Sequence, residues 1–427
     1  MKSYRAVLRC VCEAAGDHRR CPRKDGDRSA HTGNHRFDSG CPGVAEGERA
    51  VAPGLAGKPR ALAWAMRPFF AMALLAVPAC AAFPNGYSYC KVVTTQHTMV
   101  SGTSDLTNYP LTVILTDADL RTTGNGGLVN NGSGFDIGFY PDCSGSGAAL
   151  KWEMESYSPT TGAIVAHVLR PTLSHTANDT IGMFYGGSFS SFQSTASAVW
   201  DTNYKGVWHL SSSNMLADST GNNNLVNNGG VISAGGVVDG GASFSGSNWL
   251  NNAAPTGLPT TGWITASMWV NVPYQSGNPR ILRVGTFPGS AIEIAFDITH
   301  KSYVYWGDSG HYTNADLYLA GTAYLSYAFN VSTGVLKMYV NGALDASYTG
   351  LSTGVVTAAI GIGATADGGV PVIGLGDEVR VSGIERSSDW ILTEYRNQSA
   401  PGTYISAGPR VAAAAGTRFR HLVTGGL

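Results

Sequence analysis

From residue 84 to about residue 382 the chain is a succession of short apolar runs broken by Gly-, Asn- and Ser-rich turns, and no segment there shows a convincing helical period. Trp263 to Val270 is the plainest case. Ile264, Ala266, Met268 and Val270 alternate with Trp263, Thr265, Ser267 and Trp269, which places the two sets on opposite faces of one strand. Gly334 to Asp345 sets two β-type runs on either side of Asn341-Gly342, residues that accept the positive φ of a type I′ hairpin turn. With 55 glycines and only 13% charged residues, the chain suits strands joined by tight turns. The fold class expected is all-β, built from antiparallel sandwiches.

The runs fall into two groups. Over about 84–200 they are Leu111–Thr116, Phe135–Tyr140, Leu150–Tyr157, Ala163–Leu169 and Thr180–Tyr185. Over about 204–409 they are Asn203–Leu210, Gly240–Gly246, Trp263–Val270, Ala291–Ile298, Ser302–Trp306, Tyr324–Phe329, the 334–345 hairpin and Val372–Val381. Ser388 to Arg396 reads as a short closing helix capped by Ser or Asp. Residues 410–427 read as a loose tail.

The start of the chain is different. Residues 1–81 carry 13 Lys+Arg against 7 Asp+Glu, whereas residues 82–427 carry 15 against 22. The mildly acidic remainder argues against a nucleic-acid partner. Residues 1–65 have no hydrophobic period and read as disordered or as an upstream extension. Met66-Arg67, the apolar run Phe69 to Ala79 and Ala79-Cys80-Ala81 describe a signal peptide over 66–81. That run is shorter than the ~20 residues of a membrane-spanning helix, so the mature chain is expected to be secreted, periplasmic or on the cell surface, without a transmembrane segment. Cys10, Cys12, Cys21 and Cys41, with His18, His31 and His35, match no zinc-site spacing. Beyond the leader only Cys90 and Cys143 remain. In an exported chain they suggest one disulfide, the alternative being two buried thiols.

Tyr89-Cys90-Lys91-Val92-Val93, Leu106 to Leu111, Asp136 to Phe139, Trp152 to Tyr157, Met183 to Gly186 and Val199-Trp200-Asp201 occur in the order and spacing of DUF2341, a bacterial domain that residues 84–200 resemble. The resemblance implies an exported β-domain, often beside a jelly roll, with envelope proteins as partners and no known chemistry. Val207 to Leu210, Asp218 to Asn222, Gly241 to Gly246, Ile264 to Val270, Tyr339 to Gly342 and Gly376 to Ser382 resemble the concanavalin A-like, laminin-G-type jelly rolls. That resemblance spans nearly all of 204–409. It implies two stacked antiparallel sheets and a ligand at loops or on a sheet face.

In many such jelly rolls a calcium ion sits between the first Asp-rich loop and the last strand. Carried over, the ligands are Asp218, Asn222 and Asp377, and the alternative is that Asp218 caps a turn while Glu378 pairs with Arg380. Trp249, Tyr305, Trp306 and Tyr312 are candidate platforms for sugar rings. No catalytic residue is assigned. Nucleophile elbow, zinc-protease and phosphate-loop motifs are missing from the sequence. The jelly-roll glycosidases' alternating carboxylates are missing too: Asp377 and Glu378 are adjacent and expected on opposite faces. His209, His300 and His311 have no partner legible in the sequence. Glu153 and Glu155 share one side of a strand about 7 Å apart and read as a solvated face. The reading is a non-catalytic binding or adhesion protein for carbohydrate or another surface polymer. The alternatives are a structural envelope component and a divergent glycoside hydrolase or lyase.

Overall fold

The computed structural model describes Phe83, residues 86–286 and residues 290–413. Residues 1–82, with the signal peptide expected over 66–81 and five cysteines, and residues 414–427 of the tail lie outside the described residues.

Four antiparallel sheets carry the described residues. One orders its strands Ile405–Ala412, Tyr89–Thr95, Asp179–Tyr185, Ile137–Tyr140; a three-stranded sheet runs Leu106–Thr116, Ala163–Leu173, Trp152–Tyr157. Their facing apolar residues, among them Val93, Ile181, Met183 and Phe139 from the first and Leu111, Val113, Ile164 and Trp152 from the second, close one core. Cys90, on the Tyr89–Thr95 strand, is disulfide-bonded to Cys143.

The jelly roll supplies the other two sheets. Its near sheet, the one against the N-terminal sandwich, runs Ala343–Tyr348, Val335–Val340, Ala323–Asn330, Trp263–Asn271, Ile373–Ser382, Gly240–Ser245, Ile232–Gly235, with Tyr204–Trp208 also paired to Ile373–Ser382. Its far sheet runs Ser309–Tyr312, Ser302–Trp306, Ser290–Phe296, Arg280–Thr286, Ile360–Ile362, Trp249–Asn252, Val226–Asn228. Ile264, Ala266, Met268 and Val270 point into the core between them, as the alternation requires. The Asn341-Gly342 hairpin forms with φ 50° and 81°. The closing helix is Ser388–Ser399, and the Ser387 hydroxyl accepts from the Trp390 N–H at 3.2 Å. Among the described residues no helix is long and apolar enough to cross a membrane.

Three expectations are corrected. The chain does not come loose at 410: Ile405–Ala412 leaves the jelly roll and pairs with Tyr89–Thr95, so the last strand completes the first sandwich. Glu153 and Glu155 are not solvated but 7% exposed each, because the outward face of the three-stranded sheet is covered by the jelly roll. Asp377 and Glu378 do not point apart. The ladder slips between Ser267 and Trp269, Glu378 takes φ 51°, and both carboxylates come to the side of the near sheet that faces the N-terminal sandwich. A bulge inserts one residue and so breaks the two-residue alternation.

Candidate functional site

The far sheet has one face in the core and one turned away from it. Leu250, Leu282, Val284, Ile292, Ile294, Val304, Ile360 and Ile362 fill the core. The intervening residues therefore line the other face: Trp249, Asn251, Gly361, Arg283, Glu293, Tyr303 and Tyr305. Register sets several of them side by side. Asn251 lies opposite Gly361, Gly361 opposite Arg283 and Arg283 opposite Glu293. At about 4.8 Å per strand, Asn251 and the strand of Tyr305 stand about 19 Å apart. Between them runs a polar row with an aromatic at each end.

Glu293 is the electrostatic centre of this row. Arg280 Nε is 3.2 Å and Arg283 Nε 3.9 Å from its Oε2. Burial lowers the Arg283 pKa, while the neighbouring Glu293 opposes that shift. At the aromatic end, the Tyr303 and Tyr312 rings are 5.3 Å apart, and the Arg280 guanidinium lies 6.0 Å from the Tyr303 ring centre. Burial pushes the Tyr303 hydroxyl up to about 12. At the other end residues 364–369 fold down over Trp249. Gly368, at φ 84°, lies so close that a Cβ there would meet the indole at 2.7 Å. Asn251 Nδ2 donates to the Ala366 carbonyl at 2.7 Å. The turn and the sheet enclose a cavity of about 470 Å³ lined by Ala253, Arg283, Gly285, Thr286, Ala359, Thr365, Ala366 and Asp367. The Thr365 hydroxyl holds the Asp367 carboxyl below the usual carboxylate range. Arg283, Glu293 and Tyr303 are themselves at most 5% exposed, so the groups the face leaves accessible are the half-buried Trp249, Asn251, Arg280 and Tyr305 and the exposed Tyr312 and Asp367, a mixture of ring faces, amide, cation and carboxylate that polyhydroxylated ligands use.

Of the residues proposed from sequence as platforms, Trp249, Tyr305 and Tyr312 belong to the two far-sheet regions just described. Tyr312 is 36% exposed. Trp306 is not available: it is 2% exposed, packs edge-on to Phe329 and donates its indole N–H to the Ser352 carbonyl. It sits one residue from Tyr305 and so takes the core side. Sequence reasoning missed Arg283, Glu293, Arg280, Tyr303 and Asp367. The signal available was charge inside otherwise apolar strands.

The calcium candidates serve backbone. Asp218 accepts from the N–H groups of Val207, Thr220, Asn222 and Asn223 and from the Thr220 hydroxyl. Asn222 donates to the Thr220 carbonyl. Asp377 Oδ2 accepts from the Val237 and Val238 N–H groups, at 2.7 and 2.9 Å. His300 and His311 lie near Asp316 and the Trp306 carbonyl, respectively.

A family model described as the concanavalin A-like lectin/glucanases superfamily matches residues 239–392. No curated protein matches the sequence. Among solved structures, domain 4 of AbnA, a GH43 extracellular arabinanase from Geobacillus stearothermophilus in complex with arabinotriose, is 19% identical, with 45% of this chain and 98% of that one covered and a TM-score of 0.37. The receptor binding domain of the botulinum neurotoxin C/D mosaic serotype is 13% identical, with 46% and 51% covered and a TM-score of 0.38. The chain spans about half the length of that toxin domain. The C-terminal module is a concanavalin A-like jelly roll. The family match begins at 239 and does not reach the N-terminal sandwich.

Proposed function

We propose that this is an exported binding protein that holds a carbohydrate polymer along the outward face of the far sheet, without cleaving it. One observation carries the reading: the half-buried Trp249 and Tyr305 and the exposed Tyr312 stand at the two ends of the buried Arg283–Glu293 pair, beside the cavity under residues 364–369. The family of the jelly roll supports it, since sugar recognition is a recurrent use of that fold, although a fold alone does not fix a function. The Cys90–Cys143 disulfide supports export to an oxidising compartment. A calcium ion on Asp218, Asn222 and Asp377 is not part of this reading: Asp218 and Asp377 Oδ2 accept backbone N–H groups, and Asp377 Oδ1 alone is buried without a hydrogen-bond partner.

The test is a glycan array probed with the full chain, followed by titration of the best glycan against the Tyr312→Ala variant. Binding weakened by the substitution supports the proposal. Silence across the array, or affinity indifferent to Tyr312, removes it. Release of reducing ends from a bound polysaccharide replaces binding with hydrolysis.

A further inference from the structure

The seam between the N-terminal sandwich and the near sheet holds a second group of side chains, independent of the far-sheet face. Thr112, His167 and Glu153 stand opposite one another across the three-stranded sheet, with Glu155 beside them at a slip in the ladder. The jelly roll contributes His209, just past the Tyr204–Trp208 strand, and Glu378 and Arg380 from Ile373–Ser382. The side chains of Glu155, His167, His209 and Glu378 are each at most 1% exposed.

One donor atom from each of Glu155, His167, His209 and Glu378 lies within 4.8 Å of the other three. His167 Nε2 is 2.9 Å from Glu155 Oε2, and His209 Nδ1 is 2.5 Å from Glu378 Oε1 and 3.6 Å from Glu155 Oε2. The opposite ends of three of these side chains meet other groups. Thr112 Oγ1 is 3.3 Å from His167 Nδ1. Glu153 Oε2 is 3.4 Å from His209 Nε2, and Glu153 is itself fixed by the Trp200 indole N–H and the Ser219 hydroxyl. Arg380 takes Glu378 Oε2 and also bonds Glu394. The fourth, Glu155, keeps a buried Oε1 with no hydrogen-bond partner.

Carboxylates behind imidazoles fix which ring nitrogen carries the proton and present the other as a lone pair. At His209 no such bond forms: Glu153 Oε2 stands 3.4 Å from Nε2, which has no hydrogen-bond partner, while Nδ1 faces Glu378 and Glu155, two carboxylates whose charge a protonated ring or a metal cation between them offsets. The surrounding charge asks for the same thing. Glu153, Glu155, Asp377, Glu378 and Glu394 are all buried here, against one guanidinium and two imidazoles.

We propose that Glu155, His167, His209 and Glu378 bind a divalent first-row metal ion, zinc by ligand type, that clips the two modules together. Two imidazoles, which are borderline donors, with two carboxylates make a mixed nitrogen and oxygen set that zinc accepts, whereas calcium and magnesium take all-oxygen shells. Zinc–ligand bonds of about 2.05 Å set tetrahedron edges of about 3.3 Å, so small side-chain rotations close the present spacing. Four protein donors in a buried site leave no position for substrate, which makes the ion structural. Glu155 also lines a cleft of about 430 Å³ with Ser212, Ser213, Asn214 and Asp239, a way in for the ion.

The test is metal analysis of the full chain after dialysis against metal-free buffer. One zinc per chain is expected, with a melting temperature about 5 °C or more lower after chelation and restored by zinc alone. A His167→Gln/His209→Gln double variant should lose the metal. Where that variant does not fold, zinc-edge X-ray absorption of the unaltered protein decides. A four-atom nitrogen/oxygen shell with imidazole scattering supports the site; sulfur ligation or a six-oxygen shell overturns it. Less than a tenth of an equivalent after incubation with zinc also overturns it, as does binding of calcium alone, and assigns the cluster to protons and ion pairs only.

Discussion

The jelly roll's two outward faces are built from the same alternating strands and reach opposite ends. On the far sheet the residues turned from the core are Trp249, Arg283, Glu293, Tyr303 and Tyr305, beside a cavity and an open edge at Tyr312. On the near sheet they are Trp269, Tyr324, Asp377, Glu378 and Arg380, sealed under the N-terminal sandwich and the Ser388–Ser399 helix. Both faces mix aromatics with charge. What separates them is the cover over their aromatics: Trp269 and Tyr324 are buried, whereas Trp249 and Tyr305 are half-buried and Tyr312 is exposed. Under cover, each charged group needs a partner at close range, because an unpaired buried charge costs several kcal/mol. On the far sheet Arg283 and Glu293 are buried too and lie beside each other, but the rings at the ends of their row, Trp249, Tyr305 and Tyr312, keep part of their surface in water. A polar aromatic face is therefore a lock or a landing surface according to what packs on it.

The strongest way to break this contrast is on the covered face. Arg380→Met leaves Glu378 and Glu394 buried without their guanidinium, and unfolding in urea should show a loss of about 3–5 kcal/mol; a loss below about 1 kcal/mol means that the seam is not held by that network. Next is the double variant Cys90→Ser/Cys143→Ser, whose bridge spans 53 residues of the N-terminal sandwich. It should lower stability by about 2–4 kcal/mol. A single shifted transition says that the seam couples the modules, and two transitions that it does not.

On the open face the effects should be smaller and should fall on binding. Tyr312→Ala is expected to weaken glycan affinity about tenfold, or about 1.4 kcal/mol, with stability changed by less than about 0.5 kcal/mol. Loss of stability without loss of affinity would make Tyr312 structural. Gly368→Ala places a side chain at φ 84° against the Trp249 ring. It should cost about 1 kcal/mol and alter affinity by lifting the 364–369 turn, as calorimetry would read.

The smallest expected effect is that of pH. Tyr303 is pushed by burial to about 12, above its ordinary value of 10, so its contribution is full below pH 10 and is lost only as pH rises through 12. Asp367 is held below 3.8 by Thr365, so its contribution is full above pH 3.8 and is lost only as pH falls through the lowered value. Affinity for a neutral glycan should stay within threefold from pH 5 to 9. A steeper profile would name a different titrating group as part of the face.

Much of the fold was legible because strand signals are local. Trp263–Asn271, Ser302–Trp306 and the hairpin at Asn341-Gly342 fall where alternation and turn chemistry put them. The closing helix was legible as a segment, but its cap is Ser387, one residue before the stretch read from the sequence. The far-sheet site was legible in part. Its aromatics Trp249, Tyr305 and Tyr312 could be named, but Arg280–Thr286 escaped notice as a strand, and Arg283 went with it. Trp306 was misjudged because composition shows an aromatic but not which face it takes.

By itself the sequence determined the all-β class, most strands of both modules, the two-residue hairpin and the cysteine pair beyond the leader, since each rests on neighbours along the chain. Only the tertiary structure decided which outward face is covered. Alternation divides a strand into two sides but says nothing of what packs on either. Hence Glu153 and Glu155, which read as solvated, are buried. Hence also His167, His209 and Glu378, remote in sequence, meet at one seam, because the last strand returns to the first sandwich and a bulge at Glu378 overrides the alternation.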